Sequence, residues 1–247
     1  MTHGRSQPLI ALGGAGIILV ALSLPAWCGT DSDLTAPTGA TIVGRVIFRG
    51  TVPSPRVIPV ARNAETCGAS QSIQPLIVDS ASGGVKDTVV SLVVPDGAVT
   101  PITGSPSTIS TITNRACAFH PRIGIAKMGD LLEIRNDDPV LHNTHIKADK
   151  KTFINVALLA GGRPIQKRMR SPGLMTVACD AHPFMQGVVM VFDHAVVATT
   201  DALGLFSITG VPPGKQEISL WHETLGTLKQ RVTVPPQGHL TVTFEYP

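Results

Sequence analysis

Glycine and proline interrupt this chain so often that no long helical pattern survives beyond its apolar N-terminus. The sequence carries 24 Gly and 20 Pro in 247 residues; Pro breaks helices and central strands, and Gly favours turns. What remains between the breaks are short strand-like runs, at residues 41–49, 85–94, 217–222, 228–234 and 240–246. Such runs bounded by turn residues read as strands. The expected fold is therefore all-β, and the length leaves room for two small domains.

The N-terminus reads as an address. Arg5 precedes a nearly all-apolar stretch over residues 9–24, the pattern of a secretory signal or an uncleaved anchor, although it is short for a membrane span. Cys28 stands where a lipoprotein acceptor would, but Trp27 occupies the position that wants a small residue. Residues 1–28 are thus expected to be a signal or anchor and 29–39 a flexible linker. The implied location is the periplasm or the outside of the cell, with membrane contact only through an uncleaved or lipidated N-terminus. Formal charge is +3, and loss of Arg5 with the signal would leave it too near zero to point to a partner. Nucleic acid is not expected, since no recognition motif accompanies the charge. One segment is different: over residues 147–170, Lys147, Lys150, Lys151, Arg163, Lys167, Arg168 and Arg170 face only Asp149. That segment is either a solvated loop or a docking face for an acidic partner.

The chemistry concentrates in Cys179-Asp180-Ala181-His182-Pro183-Phe184-Met185. A thiolate, an imidazole and a thioether fall within one short turn, and Pro183 stiffens it. Upstream, Asn136-Asp137-Asp138-Pro139-Val140-Leu141-His142-Asn143 leads to a second imidazole, for which His142 and His145 compete. Three apart on a strand, they point to opposite faces, so only one can join a ligand set without a bulge. One thiolate, two imidazoles and a weak axial Met suit copper cycling between Cu(I) and Cu(II).

These residues resemble the cupredoxins, small blue copper electron carriers, and within them the amicyanin type with its short His-Pro-Phe-Met loop. The resemblance spans roughly residues 115 to 194 and includes Gly129-Asp130 before the strand 131–136 and Pro172-Gly173 before the strand delivering Cys179. It implies a Greek-key sandwich and a type 1 copper site of His142, Cys179, His182 and Met185. His145 would be a neighbouring strand residue. It also implies docking through apolar surface around an exposed edge of His182, beside Pro183 and Phe184. Val140-Leu141 departs from the Pro or Glu of many relatives before the first His.

The flanks carry a second pattern. Thr200-Asp201-Ala202-Leu203-Gly204-Leu205-Phe206 and Val211-Pro212-Pro213-Gly214 resemble the carboxypeptidase regulatory-like, transthyretin-like sandwich. Together the two resemblances look like exported plastocyanin-like proteins labelled methylamine utilisation proteins. The implied organisation is a regulatory-like sandwich in two parts, 40–96 and 195–247, with a cupredoxin-like copper domain at 97–194 between them. Cys67 and Cys117, both in the exported part, are expected to pair in a disulfide, leaving Cys179 free as a thiolate. His222 and His120 are left over; His222 reads either as a satisfied histidine or as a neighbour of the metal.

A one-electron carrier passing electrons to a redox partner protein is the leading reading. Two rivals remain open: a copper-holding or delivery protein, and a structural or adhesive sandwich whose metal only stabilises the fold. An enzyme is not expected, since neither a Ser-His-Asp set nor HExxH is present and eight His lack the clustered pairs of a trinuclear copper centre.

Overall fold

The computed structural model describes residues 39–93, 109–194 and 196–247. The segment read as signal or anchor, with Cys28 and nearly all of the linker, lies outside the described residues, as does the boundary expected at 96–97. No helix among the described residues is long and apolar enough to cross a membrane. The protein is all-β, with the strands arranged in sandwiches and, among the described residues, one four-residue helix, Ala64–Cys67.

Residues 109–192 supply both sheets of one sandwich. A five-stranded sheet runs Lys151–Leu158, His142–Ala148, Gly173–Ala178, Gln186–Phe192, Ile123–Lys127 in spatial order. Facing it, a four-stranded sheet runs Ile165–Arg168, Leu131–Asn136, Ile109–Arg115, Ala118–His120. Between them lies a core that includes Ile112, Phe119, Leu132, Ile134, Ile146, Met175, Val177, Val189 and Val191. Full burial of each such side chain contributes about 1.5–3 kcal/mol relative to exposure. Alternation settles the competition between the two histidines: on His142–Ala148, residues His142, Thr144 and Ile146 are buried while Asn143 and His145 turn to the other face, as the period of a strand demands.

The N- and C-terminal parts pair with each other. Ala40–Phe48 lies between Leu205–Val211 (antiparallel) and His239–Tyr246 (parallel), and Val89–Leu92 lies between Val197–Thr199 and Gly214–His222, which Gly226–Val234 extends. Their core gathers Ile42, Val46, Ile218 and Leu220 around Phe206 and Phe244, whose rings stack at 5.9 Å. The Asp-x-x-Gly turn has a mechanical reason. Asp201 Oδ1 accepts from the backbone N–H groups of Leu203 (2.9 Å) and Leu205 (2.8 Å). Gly204 sits at φ +76°, where a Cβ would meet the Val46 carbonyl oxygen at 2.5 Å. A smaller cluster of Val89, Ile123 and Val188, with Trp221 against it, joins the two cores.

One stretch departs from the expected organisation. The hairpin Arg56–Pro59 with Ser70–Ile73 and the helix Ala64–Cys67 do not pair with the flanking sheets. Val60 and Cys67 instead enter the core of the 109–192 sandwich, and a disulfide joins Cys67 to Cys117 across a sequence separation of 50.

His222 is buried at the end of Gly214–His222, only 1% exposed, and its Nδ1 accepts from the Thr224 N–H at 3.1 Å. Burial first, and the Arg122 guanidinium second, push its imidazole down to about 4.

Two stability predictions follow from these positions. Gly204→Ala should lower stability by roughly 1–3 kcal/mol in urea unfolding, and by more than Gly238→Ala, whose φ is also positive (+86°) but whose Cβ would meet nothing within 4 Å; equal losses would contradict the close-approach argument. For His222, the unfolded chain takes up a proton below the ordinary value of 6.5 that the folded chain refuses until about 4. Its share of stability therefore falls as pH drops through that window and is flat below it, by roughly 3 kcal/mol in all. Melts of His222→Asn against wild type from pH 7 to 4 should show the variant losing less; parallel curves would contradict it.

Candidate metal centre

Three strands bring the donors to one end of the five-stranded sheet. His142 opens its strand, Gly173–Ala178 ends just before Cys179, and the hairpin loop 179–185 returns the chain into Gln186–Phe192. The loop is closed by its own backbone: the Cys179 N–H donates to Met185 O (3.2 Å), His182 N–H to Cys179 O (3.2 Å) and Met185 N–H to His182 O (2.8 Å). Outside, Asn143 Nδ2 donates to Asp180 Oδ2 (3.0 Å) and the Asp180 N–H donates to Asn143 Oδ1. The strand carrying His142 is thus fastened to the loop carrying Cys179.

Inside, His142 Nδ1 and His182 Nδ1 face each other at 3.1 Å, with Cys179 Sγ 3.6 Å from His182 Nδ1. Donor atoms of His142, Cys179 and His182 all lie within 4.8 Å of one another, and the residues are 0%, 2% and 1% exposed. The outward nitrogens decide the tautomers. His142 Nε2 lies 2.8 Å from Asp138 Oδ2 and His182 Nε2 lies 3.1 Å from Asn63 Oδ1. Both partners are acceptors, so both Nε2 atoms carry the proton. With the proton on Nε2, the neutral form of each ring turns an Nδ1 lone pair toward the other, an arrangement that suits a cation between them. Burial first, then repulsion from the charged form of His142 and from Arg62, holds the His182 imidazole below its ordinary value, which keeps that lone pair free. Two borderline nitrogens and one soft sulfur fit a soft to borderline metal ion. The Asn143 N–H also donates to Cys179 Sγ at 3.4 Å, stabilising charge on the sulfur.

Cys117, Asp138 and His142 also come close enough to suggest a metal. Cys117 is spent in its disulfide, so Asp138 instead orients His142. Asp138 also accepts the backbone N–H groups of Ala116 (2.7 Å) and Cys117 (2.9 Å). Met185 is 1% exposed and packs in the same cluster as Cys179 and Phe184.

His145 lies on the outer face, bonded to Asp180 Oδ1 (3.2 Å) and Thr152 Oγ1 (2.9 Å), and its hydrogen bond is the first cause holding the Asp180 carboxyl below its usual range. The expected docking surface is corrected in two respects. Pro183 is exposed, but Phe184 is 8% and His182 1% exposed, because the hairpin over Asn63 covers the imidazole edge. Six cations of the basic segment sit at the other end of the sandwich, while Arg163 lies in the turn between Leu158, paired with His142, and Ile165, paired with Ile134. Lys151 pairs with Ala148 and Leu158 with His142, so roughly 20 Å of strand separates Lys147, Lys150 and Lys151 from the donors. Arg168 pairs with Leu131, the end of its strand remote from Asn136; Lys167 stands 5.3 Å over the Phe153 ring, and Arg170 follows two residues on. The strands Lys151–Leu158 and Ile165–Arg168 are sheet edges, where Lys and Arg discourage pairing with another chain.

Asp138, Asn143 and Asn63 are absent from the sequence-based site. Asp138 had a signal, four residues before His142 and on the same loop; Asn63 had none, being 119 residues from His182.

No protein family's sequence profile matches the chain. No curated protein matches it. Among solved structures, it is similar to a Cu-containing nitrite reductase from Thermus scotoductus SA-01 at 20% identity and a TM-score of 0.32, over 41% of this chain and 25% of that one. A purple cupredoxin from Nitrosopumilus maritimus aligns at 23% identity and 0.29, over 34% and 99% of the two chains. Amicyanin from Paracoccus versutus aligns at 17% and 0.31, over 41% and 96%. This chain thus spans about a quarter of the nitrite reductase's length. At such TM-scores the likeness decides nothing about chemistry, and the donor geometry must do so.

Asp138→Asn should keep the fold yet weaken metal binding about 10- to 100-fold, measured by competition with a chelator. Unchanged affinity would show that Asp138 does not orient His142.

Proposed function

We propose that this chain is an exported, non-catalytic one-electron carrier holding type 1 copper through His142, Cys179 and His182, with Met185 as the weak fourth donor. The observation that carries the reading is the pair of facing Nδ1 lone pairs beside a buried thiol, both imidazoles locked by acceptors on their far side. Copper would supply a one-electron couple suited to one sulfur and two nitrogens. The chain's own part is to hold those donors in place before any ion arrives. Cys179 and His182 are tied by the loop's backbone bonds, His142 by Asp138, and the surrounding core excludes water. A donor set fixed in this way needs little rearrangement between oxidation states.

Burial speaks against the delivery reading, since handing over a metal needs reachable ligands and these are at most 2% exposed. The disulfide Cys67–Cys117 supports a location outside the cytoplasm. The partner proposed is a redox protein, which would not meet the His182 edge directly, since His182 and Phe184 are buried.

Adding Cu(II) to the metal-free exported form should produce an intense visible thiolate-to-copper band that Cys179→Ser abolishes and His145→Ala leaves intact. Met185→Leu should keep the band and raise the potential. Voltammetry should give a reversible wave with slow release to a modest chelator. A colourless copper complex, or fast release without a reversible wave, would reject the carrier.

A further inference from the structure

Beside the donor loop opens a cleft of about 910 Å³, within the range of small-molecule sites. The hairpin that covers His182 forms one of its sides. Phe184 and Met185 reach it from the donor loop. Its wall is apolar where Phe119, Phe184, Ile73 and Ile77 meet it, and cationic where Arg56 and Lys86 line it.

The charges in the cleft are unevenly matched. Its two carboxylates, Asp87 and Glu223, are both engaged by Arg122, at 3.5 Å from Asp87 Oδ2 and in closer contact with Glu223 Oε1. Arg56 and Lys86 have no ion-pair partner among the described residues. Three cations, Arg56, Lys86 and Arg122, thus stand against two carboxylates along a partly apolar wall. That balance favours an occupant with an apolar body and a negative end over a cation, and a neutral molecule would leave Arg56 and Lys86 without an ion-pair partner.

From this geometry we infer a binding site for a small aromatic carboxylate in the cleft, its ring against Phe184 and its carboxylate between Arg56 and Lys86. The inference is independent of whether a metal is bound. The Phe184 ring lies 5.5 Å from the His182 ring, centroid to centroid, so the occupant sits one aromatic side chain away from a metal donor.

The test uses the full-length, disulfide-intact exported protein with 2-naphthoate as the probe and 2-naphthamide as its neutral counterpart. Fluorescence titration should show saturable one-to-one binding of the acid, with the amide about tenfold weaker or more. Arg56→Gln with Lys86→Gln should weaken the acid by at least about tenfold and leave the amide unchanged. In the metal-free protein, saturation with the acid should shift the His182 ring resonances, and those of His239 should stay still. No saturable binding, equal binding of acid and amide, or an acid affinity indifferent to the double substitution would each overturn the inference. The visible copper band, measured on the same samples, separates the two proposals. Lost binding with the band retained sinks the cleft alone, and binding retained with no band sinks the copper reading alone.

Discussion

A single covalent link, the Cys67–Cys117 disulfide, stands behind the orientation of both imidazoles. On one side, the Cys67 N–H donates to the Asn63 carbonyl at 2.8 Å, and the Asn63 side chain receives the Nε2–H of His182. On the other, the Cys117 N–H donates to Asp138 Oδ2, the same oxygen that lies 2.8 Å from His142 Nε2. Each ring is thus turned by an acceptor that the disulfide region holds in place. The inward nitrogens are left as lone pairs with nothing but each other and Cys179 to face.

That arrangement ties the hairpin 56–73 to the donors more closely than to the sandwich its neighbours in sequence build. Asn63 itself adopts the left-handed conformation at φ 56° and ψ 37°, which Asn tolerates better than most residues, and in doing so it both precedes the short helix and reaches His182. The hairpin therefore both covers His182 through Asn63 and lines the cleft through Arg56, Gln71, Ser72 and Ile73. A molecule approaching this centre meets a covered histidine, and the exposed surface near the donors is not the one the Cys-His-Pro-Phe-Met loop suggests when it is read alone.

Much of this was legible in the sequence because strand periodicity and local spacing are short-range signals. The strand Leu131–Asn136 falls where the resemblance implies it, directly after Gly129-Asp130, and the opposite faces of His142 and His145 follow from a period of two. Strand ends shifted by a few residues elsewhere, as with Gly214–His222, where turn glycine and tertiary pairing extend the ladder beyond the apolar run. What could not be read is what depends on register across the sheet or on contacts between distant segments. The charges of residues 147–170 look like one patch in sequence, but antiparallel pairing carries Lys147, Lys150, Lys151, Lys167 and Arg168 to the far end of the strands and leaves Arg163 in the turn at the donor end. Phe184 looks like surface beside an exposed Pro183, but it packs into the core. Asn63 offers no motif at all, because its role exists only once the disulfide has folded the hairpin back.

Convergence of one sulfur and two imidazole nitrogens on a single copper ion is tested most directly by X-ray absorption at the copper edge. Spectra of the wild-type protein loaded with one equivalent of copper should fit one short sulfur and two imidazole nitrogens in both oxidation states, with little change between them. A shell of nitrogen and oxygen only, with no sulfur, would contradict it.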